Sequence, residues 1–279
     1  MNKILVPYDF SEQADYAYNF AIELANASSA TKVLLFHVIE HPSESRLKYM
    51  GATDMDPMEN VFMNKLINLT EDKLEAKVSE AGKVEVEYKV RMGNTYQTLS
   101  DEVGDEEVDL VVMGTTGSEG LDAMFIGSNA EKIVRSARCP VITLQAPAEV
   151  SAINDLVFAS NFHELQDDFV KRMLDLQQFL GAELRLVKIN TPANFTSTRH
   201  DLKKMNDFVD KYAIKNYTID IYNYMNEEDG IVNYVEDINA DMVALGTHQR
   251  KGIIHFLNGS IAEDVVNQAK RPVWTYQLD

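Results

Sequence analysis

Short apolar runs alternate along this chain with stretches whose apolar positions recur every three or four residues. Residues 4–8, 33–39, 110–113 and 141–144 are runs of the first kind, the mark of strands buried on both faces. Ala14, Ala17, Tyr18, Ala21 and Leu24 share one helical face, so residues 11–27 are predicted as a helix. Further helices are predicted over 58–81, closed by Gly82, and over 96–103 and 128–135. One run differs: "VEVEYKV", 84–90, alternates apolar and polar residues, as a half-exposed edge strand does. Past residue 150 the order returns. Strands are predicted at 156–160, 184–189, 218–224, 242–245 and 273–276, and helices at 165–180, 202–214, 230–238 and 260–269. Such alternation predicts right-handed crossovers and an α/β, doubly wound parallel sheet.

The return is a sequence repeat. "VDLVVMGTTG" at 108–117 matches "ADMVALGTHQ" at 240–249, and "IGSNAEKIVRSARCPVITL" at 126–144 matches "NGSIAEDVVNQAKRPVWTY" at 258–276. Upstream, "ILVPYDFSE" at 4–12 matches "LVFASNFHE" at 156–164. Two domains are therefore expected, 1–147 and 153–279, joined by a linker over 145–154. The larger offset upstream places extra residues in the first half, and the Pro-, Gly- and Asp-containing stretch 41–59 is the surface loop that would carry them.

Charge narrows the partners. A net charge of −18 repels phosphate backbones, so no nucleic acid is expected, while a single small nucleotide in a local pocket is still compatible. One cysteine, Cys139, excludes an internal disulfide and reads as a buried inert thiol in "CPVITL". With no leader-like apolar run and no membrane span, a cytoplasmic protein is expected.

The stretch "GTTGSEGLDAMFIGS", 114–128, carries the candidate chemistry. It follows a predicted buried strand and precedes a helix, so it lies where open α/β sheets bind ligands. Gly114 and Gly117 would let backbone N–H groups approach a phosphate, and Gly127–Ser128 opens the next helix with its positive dipole end. The residues also admit a plainer reading. Ser128 with Glu131, and Ser260 with Glu263, form S-x-x-E capping boxes, and glycines in loops are often turns. Neither a P-loop nor G-x-G-x-x-G is present.

Gly114-x2-Gly117-x9-Gly127-Ser128 resembles the nucleotide-binding pattern G-x2-G-x9-G-[ST] of the universal stress protein family. "ILVPYDFSE", "LLFHVIE" and "CPVITL" are similar to that family's first, second and last strands, and the likeness covers both halves. It implies two five-stranded sheets of order 3-2-1-4-5, paired through their last strands as an internal pseudo-dimer, with room for a further dimer. It implies that Asp9 and Val38 hold adenosine and that Gly114, Gly117, Gly127 and Ser128 hold phosphates of ATP or AMP. Asp9 also reads as the N-cap of the following helix.

The second half departs from the pattern. Gln249 stands for the second glycine, Asn161 for Asp9, and Lys188 near the position of His37, so this half is expected to be degenerate. Arg250 and Lys251 supply a minority reading in which they hold phosphate there. In the first loop Glu119 and Asp122 are candidates for Mg²⁺, against the simpler reading of solvated acids. His163, His248 and His255 raise a zinc site, but no metal-ligand spacing supports one. Met58, Met63, Leu66 and Leu69 fall on one helical stripe, expected to be core rather than a partner surface. No catalytic motif is present, and at most slow ATP hydrolysis is expected. The expected function is an adenine-nucleotide-binding stress regulator acting on an unidentified protein partner. Its alternatives are a non-nucleotide interaction protein and a weak ATPase.

Overall fold

The computed structural model describes residues 1–28, 31–40, 57–105, 107–115, 127–163, 165–248 and 261–278. Ten strands form one sheet: β1 (Lys3–Pro7), β2 (Lys32–Glu40), β3 (Val86–Gly93), β4 (Leu110–Gly114), β5 (Val141–Leu144), β6 (Asp155–Ala159), β7 (Glu183–Asn190), β8 (Tyr217–Asn223), β9 (Met242–His248) and β10 (Val273–Leu278). Eight helices are found among the described residues. They are α1 (Glu12–Ala27), α2 (Pro57–Val78), α3 (Thr95–Asp105), α4 (Ser128–Ser136), α5 (Asp167–Leu180), α6 (Thr198–Tyr212), α7 (Glu227–Asp237) and α8 (Ile261–Gln268).

The sheet order is β3-β2-β1-β4-β5-β10-β9-β6-β7-β8. Each half thus has order 3-2-1-4-5, all parallel, as expected. The halves meet where β5 and β10 pair antiparallel, with Trp274 opposite Ile142. This seam is nearly two-fold. Thr143 Oγ1 donates to the Val273 carbonyl at 3.4 Å, and Thr275 Oγ1 donates to the Val141 carbonyl at 3.3 Å. The alternating run 84–90 does become an edge, β3, and β8 is the other, because a strand covered on one face only must turn polar side chains outward.

Strand parity sorts the core into layers. Ile4, Val6, Val112, Ile142, Phe158 and Trp274 point to the face covered by α1, α2, α5 and α6, where one apolar cluster runs across both halves. Leu5, Val111 and Val141 point to the other face, under α3 and α4, and Val157, Val243 and Val273 lie under α7 and α8 as a separate cluster. On the first face the apolar cluster runs through the joint, where Trp274 pairs with Ile142 across the seam and stacks on Phe169 of its own half at 5.9 Å.

Two sequence expectations fail here. The stripe on α2 is not core: Met63 and Leu66 are half-buried, Leu69 is 49% exposed, and Val61 and Phe62 are 69% and 64% exposed. The helix is anchored toward its far end, where Thr70 and Leu74 are buried. Several helices also begin earlier than their apolar periodicity suggests. Ser197 caps α6 and Asn226 caps α7, so polar first turns extend each helix beyond its apolar face. Of the stretch 41–59 expected to carry the extra residues, 41–56 lie outside the described residues and 57–59 belong to α2.

Candidate functional site

In the first half the chain leaves β1 through a tight turn. Tyr8 N–H donates to the Phe36 carbonyl at 2.9 Å, and the Asp9 carboxylate accepts the Ser11 N–H at 3.0 Å. Phe10 between them has φ 65°, a left-handed conformation unusual for a bulky side chain. Its ring is held by Tyr8 and His37, at 5.2 and 5.1 Å between centroids, and by the Lys73 ammonium at 5.2 Å. The His37 Nδ1 lies 2.6 Å from the Tyr8 carbonyl, which can only accept, so Nδ1 donates. Asp9 is not the N-cap of α1. That role belongs to Ser11, whose hydroxyl accepts the Ala14 N–H.

Val38 lies near the end of β2, half-buried on the α3–α4 face. Gly114 ends β4, and a packing reason requires a glycine there: a Cβ would sit 2.7 Å from the Gln13 Cβ and 2.8 Å from its carbonyl carbon. The glycine lets α1 cross close to β4. Gly127 N–H donates to the Thr115 carbonyl at 2.5 Å, pinning together the residues that bracket 116–126. Gly117 lies in that bracketed segment, outside the described residues.

The expected capping box is absent. Gly127 is the N-cap of α4 and Ser128 its first helical residue, and among the described residues no side-chain cap bond closes the N-terminus. The Glu131 N–H bonds the Gly127 carbonyl, and its carboxylate faces Arg135 at 3.5 Å instead of reaching back. The second box falls on Ser260, outside the described residues. Glu263 is buried and pairs across the seam with Arg135 at 2.9 Å. So Asp9, Val38, Gly114, Gly127 and Ser128 all fall at the carboxyl end of the first half or on the helix leaving it. There α1 departs from β1 to one face and α4 follows β4 to the other, which opens a crevice between them.

The second half repeats the turn with other side chains. Asn161 Oδ1 accepts the His163 N–H at 2.9 Å, and Phe162 has φ 53°. Lys188, in the place of His37, is buried. Its ammonium donates to Thr196 Oγ1 at 2.6 Å, Asp201 Oδ2 at 3.1 Å and Asn190 Oδ1 at 3.3 Å. These partners are missed by sequence reading. The one signal is a lysine inside an apolar strand, which must find a counter-charge. A cleft of about 490 Å³ opens beside it at the carboxyl ends of β6, β7 and β9, with Asn161, Lys188, Ile189 and Glu227 on its walls. Burial, then the neighbouring Glu228, raises the Glu227 carboxyl above its ordinary value, against a hydrogen bond from Asn194 and the charge of Lys188.

Among the described residues no group of three or more His, Cys, Asp or Glu could hold a metal ion, and His255 lies outside them. Cys139 is buried, and desolvation pushes its thiol up to about 12, which makes it a poor nucleophile. No described helix is long and apolar enough to cross a membrane.

The chain is similar to known proteins over both halves. A universal stress protein of Methanocaldococcus jannaschii is 28% identical over 153 residues, 51% of this chain and 94% of its own length. The crystal structure of a universal stress protein from Archaeoglobus fulgidus superposes with a TM-score of 0.73 at 17% identity, covering 99% of this chain and 98% of that one, a likeness of fold. Another universal stress protein, solved in complex with cAMP, is 18% identical over 46% of this chain and 98% of its own, with a TM-score of 0.38. The Universal stress protein family model matches residues 1–145 and again 154–277. The chain therefore belongs to the universal stress protein family, as a tandem member with two such units in one polypeptide.

Proposed function

We propose that the first half holds one adenine nucleotide, ATP or AMP, and that occupancy is read by a regulatory protein partner. Asp9 would accept from ribose hydroxyls or the adenine amino group, with Val38 against the base. The segment from Gly114 through Gly117 to Gly127, and the N–H groups opening α4 at Ser128, would take the phosphates, with Mg²⁺ as their companion. The observation that carries this reading is the N-terminus of α4. Among the described residues it has no side-chain cap, and it lies at the same carboxyl end of the first-half strands as the Asp9 turn. In the second half Asn161 replaces the carboxylate and Lys188 is committed to internal partners, which supports one nucleotide per chain rather than two.

The test is to denature freshly purified protein, identify any released nucleotide by chromatography and measure its molar ratio. One adenine nucleotide per chain, lost in Gly127→Trp, is the expected result. Two per chain would show that the second half is not degenerate. None, with no binding of added ATP or AMP, would sink the reading. A second reading, an interaction protein that needs no nucleotide, is favoured by the exposed apolar residues Val61, Phe62 and Leu69 on α2.

A further inference from the structure

The second-half cleft has a chemistry of its own. Its floor is apolar, formed by Ala159, Ile189, Ile231, Leu245 and Ala262. Among the described residues its one buried cation, Lys188, has no donor left for an anion. A lysine ammonium has three donors, and those of Lys188 are matched by Asn190, Thr196 and Asp201, the last also balancing its charge. Its carboxylate is the reverse case. Among the described residues Glu227 accepts one hydrogen bond, from the Asn194 amide, and forms no ion pair.

We propose that this cleft binds a small organic cation, an ammonium or guanidinium group on an apolar stem, with its head on Glu227. A cation there would supply the counter-charge that a half-buried carboxylate favours. The surroundings act in the same sense. Asp264, on α8 two residues past the lining residue Ala262, lies near Glu228, Glu263 and Asp229, and burial and then these acids raise it above its ordinary value, a local excess of carboxylates that favours a cation. Exposed apolar side chains adjoin two lining residues in sequence. Phe195, next to Asn194, is 71% exposed, and Met225, two residues before Glu227, is 78% exposed. An aromatic face and a thioether are good neighbours for an organic cation. The proposal does not rest on nucleotide binding in the first half.

Titration calorimetry on the full chain tests it, with butylguanidinium and butylammonium as probes and butyrate and AMP as comparisons. Both cations are expected to bind with a Kd of about 1 mM or tighter, within reach of ligands this small, while butyrate does not bind. Glu227→Gln, which keeps the size of the side chain, is expected to weaken both cations by about tenfold or more and to leave any AMP binding unchanged. Phe195→Ser with Met225→Ser is expected to weaken butylguanidinium several-fold but not guanidinium itself, and it serves as the independent check should Glu227→Gln misfold. No heat from either cation, equal binding of butyrate, undiminished affinity in Glu227→Gln, or displacement of the cation by AMP would each overturn the proposal. Loss of nucleotide binding in the first half would bear only on the other site.

Discussion

The turns that follow β1 and β6 share a backbone and differ in chemistry. Phe10 and Phe162 both adopt left-handed φ, at 65° and 53°, and Asp9 and Asn161 both accept the N–H two residues on. Next to this shared backbone, His37 bonds a carbonyl of its own half, whereas Lys188 draws in Asn190, Thr196 and Asp201. The backbone of a duplicated unit is constrained by its sheet, since one altered turn would shift the strand and the helix it joins. The side chains at the strand ends face a cavity and are freer to change. A buried lysine cannot be left alone, however, so its arrival required a carboxylate on α6 and a hydroxyl from the loop before it.

The largest expected effect comes from breaking that network. Asp201 is 1% exposed and Lys188 6%, so Asp201→Ala would leave a buried ammonium without its partner. A loss of about 3–5 kcal/mol in urea unfolding is expected. The double change Lys188→Met with Asp201→Leu should recover most of it, because an apolar pair of similar volume removes both charges together. If Asp201→Ala alone were nearly neutral, the pair would not be the buried contact described. The reciprocal experiment makes the first half resemble the second. Asp9→Asn keeps the turn but removes the charge, and adenine-nucleotide affinity in equilibrium binding should fall about 10–100-fold, the worth of a charged hydrogen bond. Asn161→Asp should not create a second nucleotide site, because Lys188 stays occupied by its own partners.

The strand-ending glycines give a finer comparison. At Gly114 an added Cβ meets the backbone of α1, whereas at Gly246 it meets the Leu278 Cδ1 at 2.7 Å and the Phe169 Cζ at 3.3 Å. Side-chain tips can move and a helix backbone cannot. Gly114→Ala is therefore expected to cost about 1–3 kcal/mol of stability, as overpacking does, and Gly246→Ala less. Equal costs in thermal unfolding would show that β4 and β9 are not crowded in these different ways.

The repeated spacing made the architecture legible, because periodicity reports which faces a segment buries, and the alternation of "VEVEYKV" singled out an edge strand. What stayed hidden depends on contacts between distant residues. Nothing near Lys188 in sequence announces Asp201, thirteen residues on and in another element. Ser128 and Glu131 satisfy the spacing of a capping box, yet Gly127 takes the cap position and Arg135 takes the carboxylate. Gly114 is readable as a glycine needed by a ligand, but the need for space beside Gln13 appears only once α1 is in place. The apolar stripe of α2 follows helical period without being buried, because period shows that residues share a face and not that anything covers it.

The smallest expected effect sharpens the comparison at its margin, where a polar network of the first half reaches the surface. Tyr8 OH donates to Asp15 at 2.6 Å, and Lys77 pairs with Asp15 at 2.8 Å and with Glu80 at 3.0 Å. Burial acts to raise the Asp15 carboxyl, but hydrogen bonds from Lys77 and Tyr8 and the charge of Lys77 outweigh it and hold it below the ordinary 3.8. A carboxyl lowered in the folded state stabilises the fold above its unfolded value, and that contribution is lost as pH falls through the folded value. The Asp15 side chain is 42% exposed, so solvent screens the pair and its worth is under about 1 kcal/mol. Lys77→Met should therefore cost under about 1 kcal/mol at pH 7, a cost that shrinks below about pH 4, so that stability falls less steeply there. Unfolding midpoints measured across that range in low and high salt would check it. A large effect at neutral pH would mean that Lys77 acts through its packing over Tyr18, where its ammonium lies 5.2 Å from the ring centre.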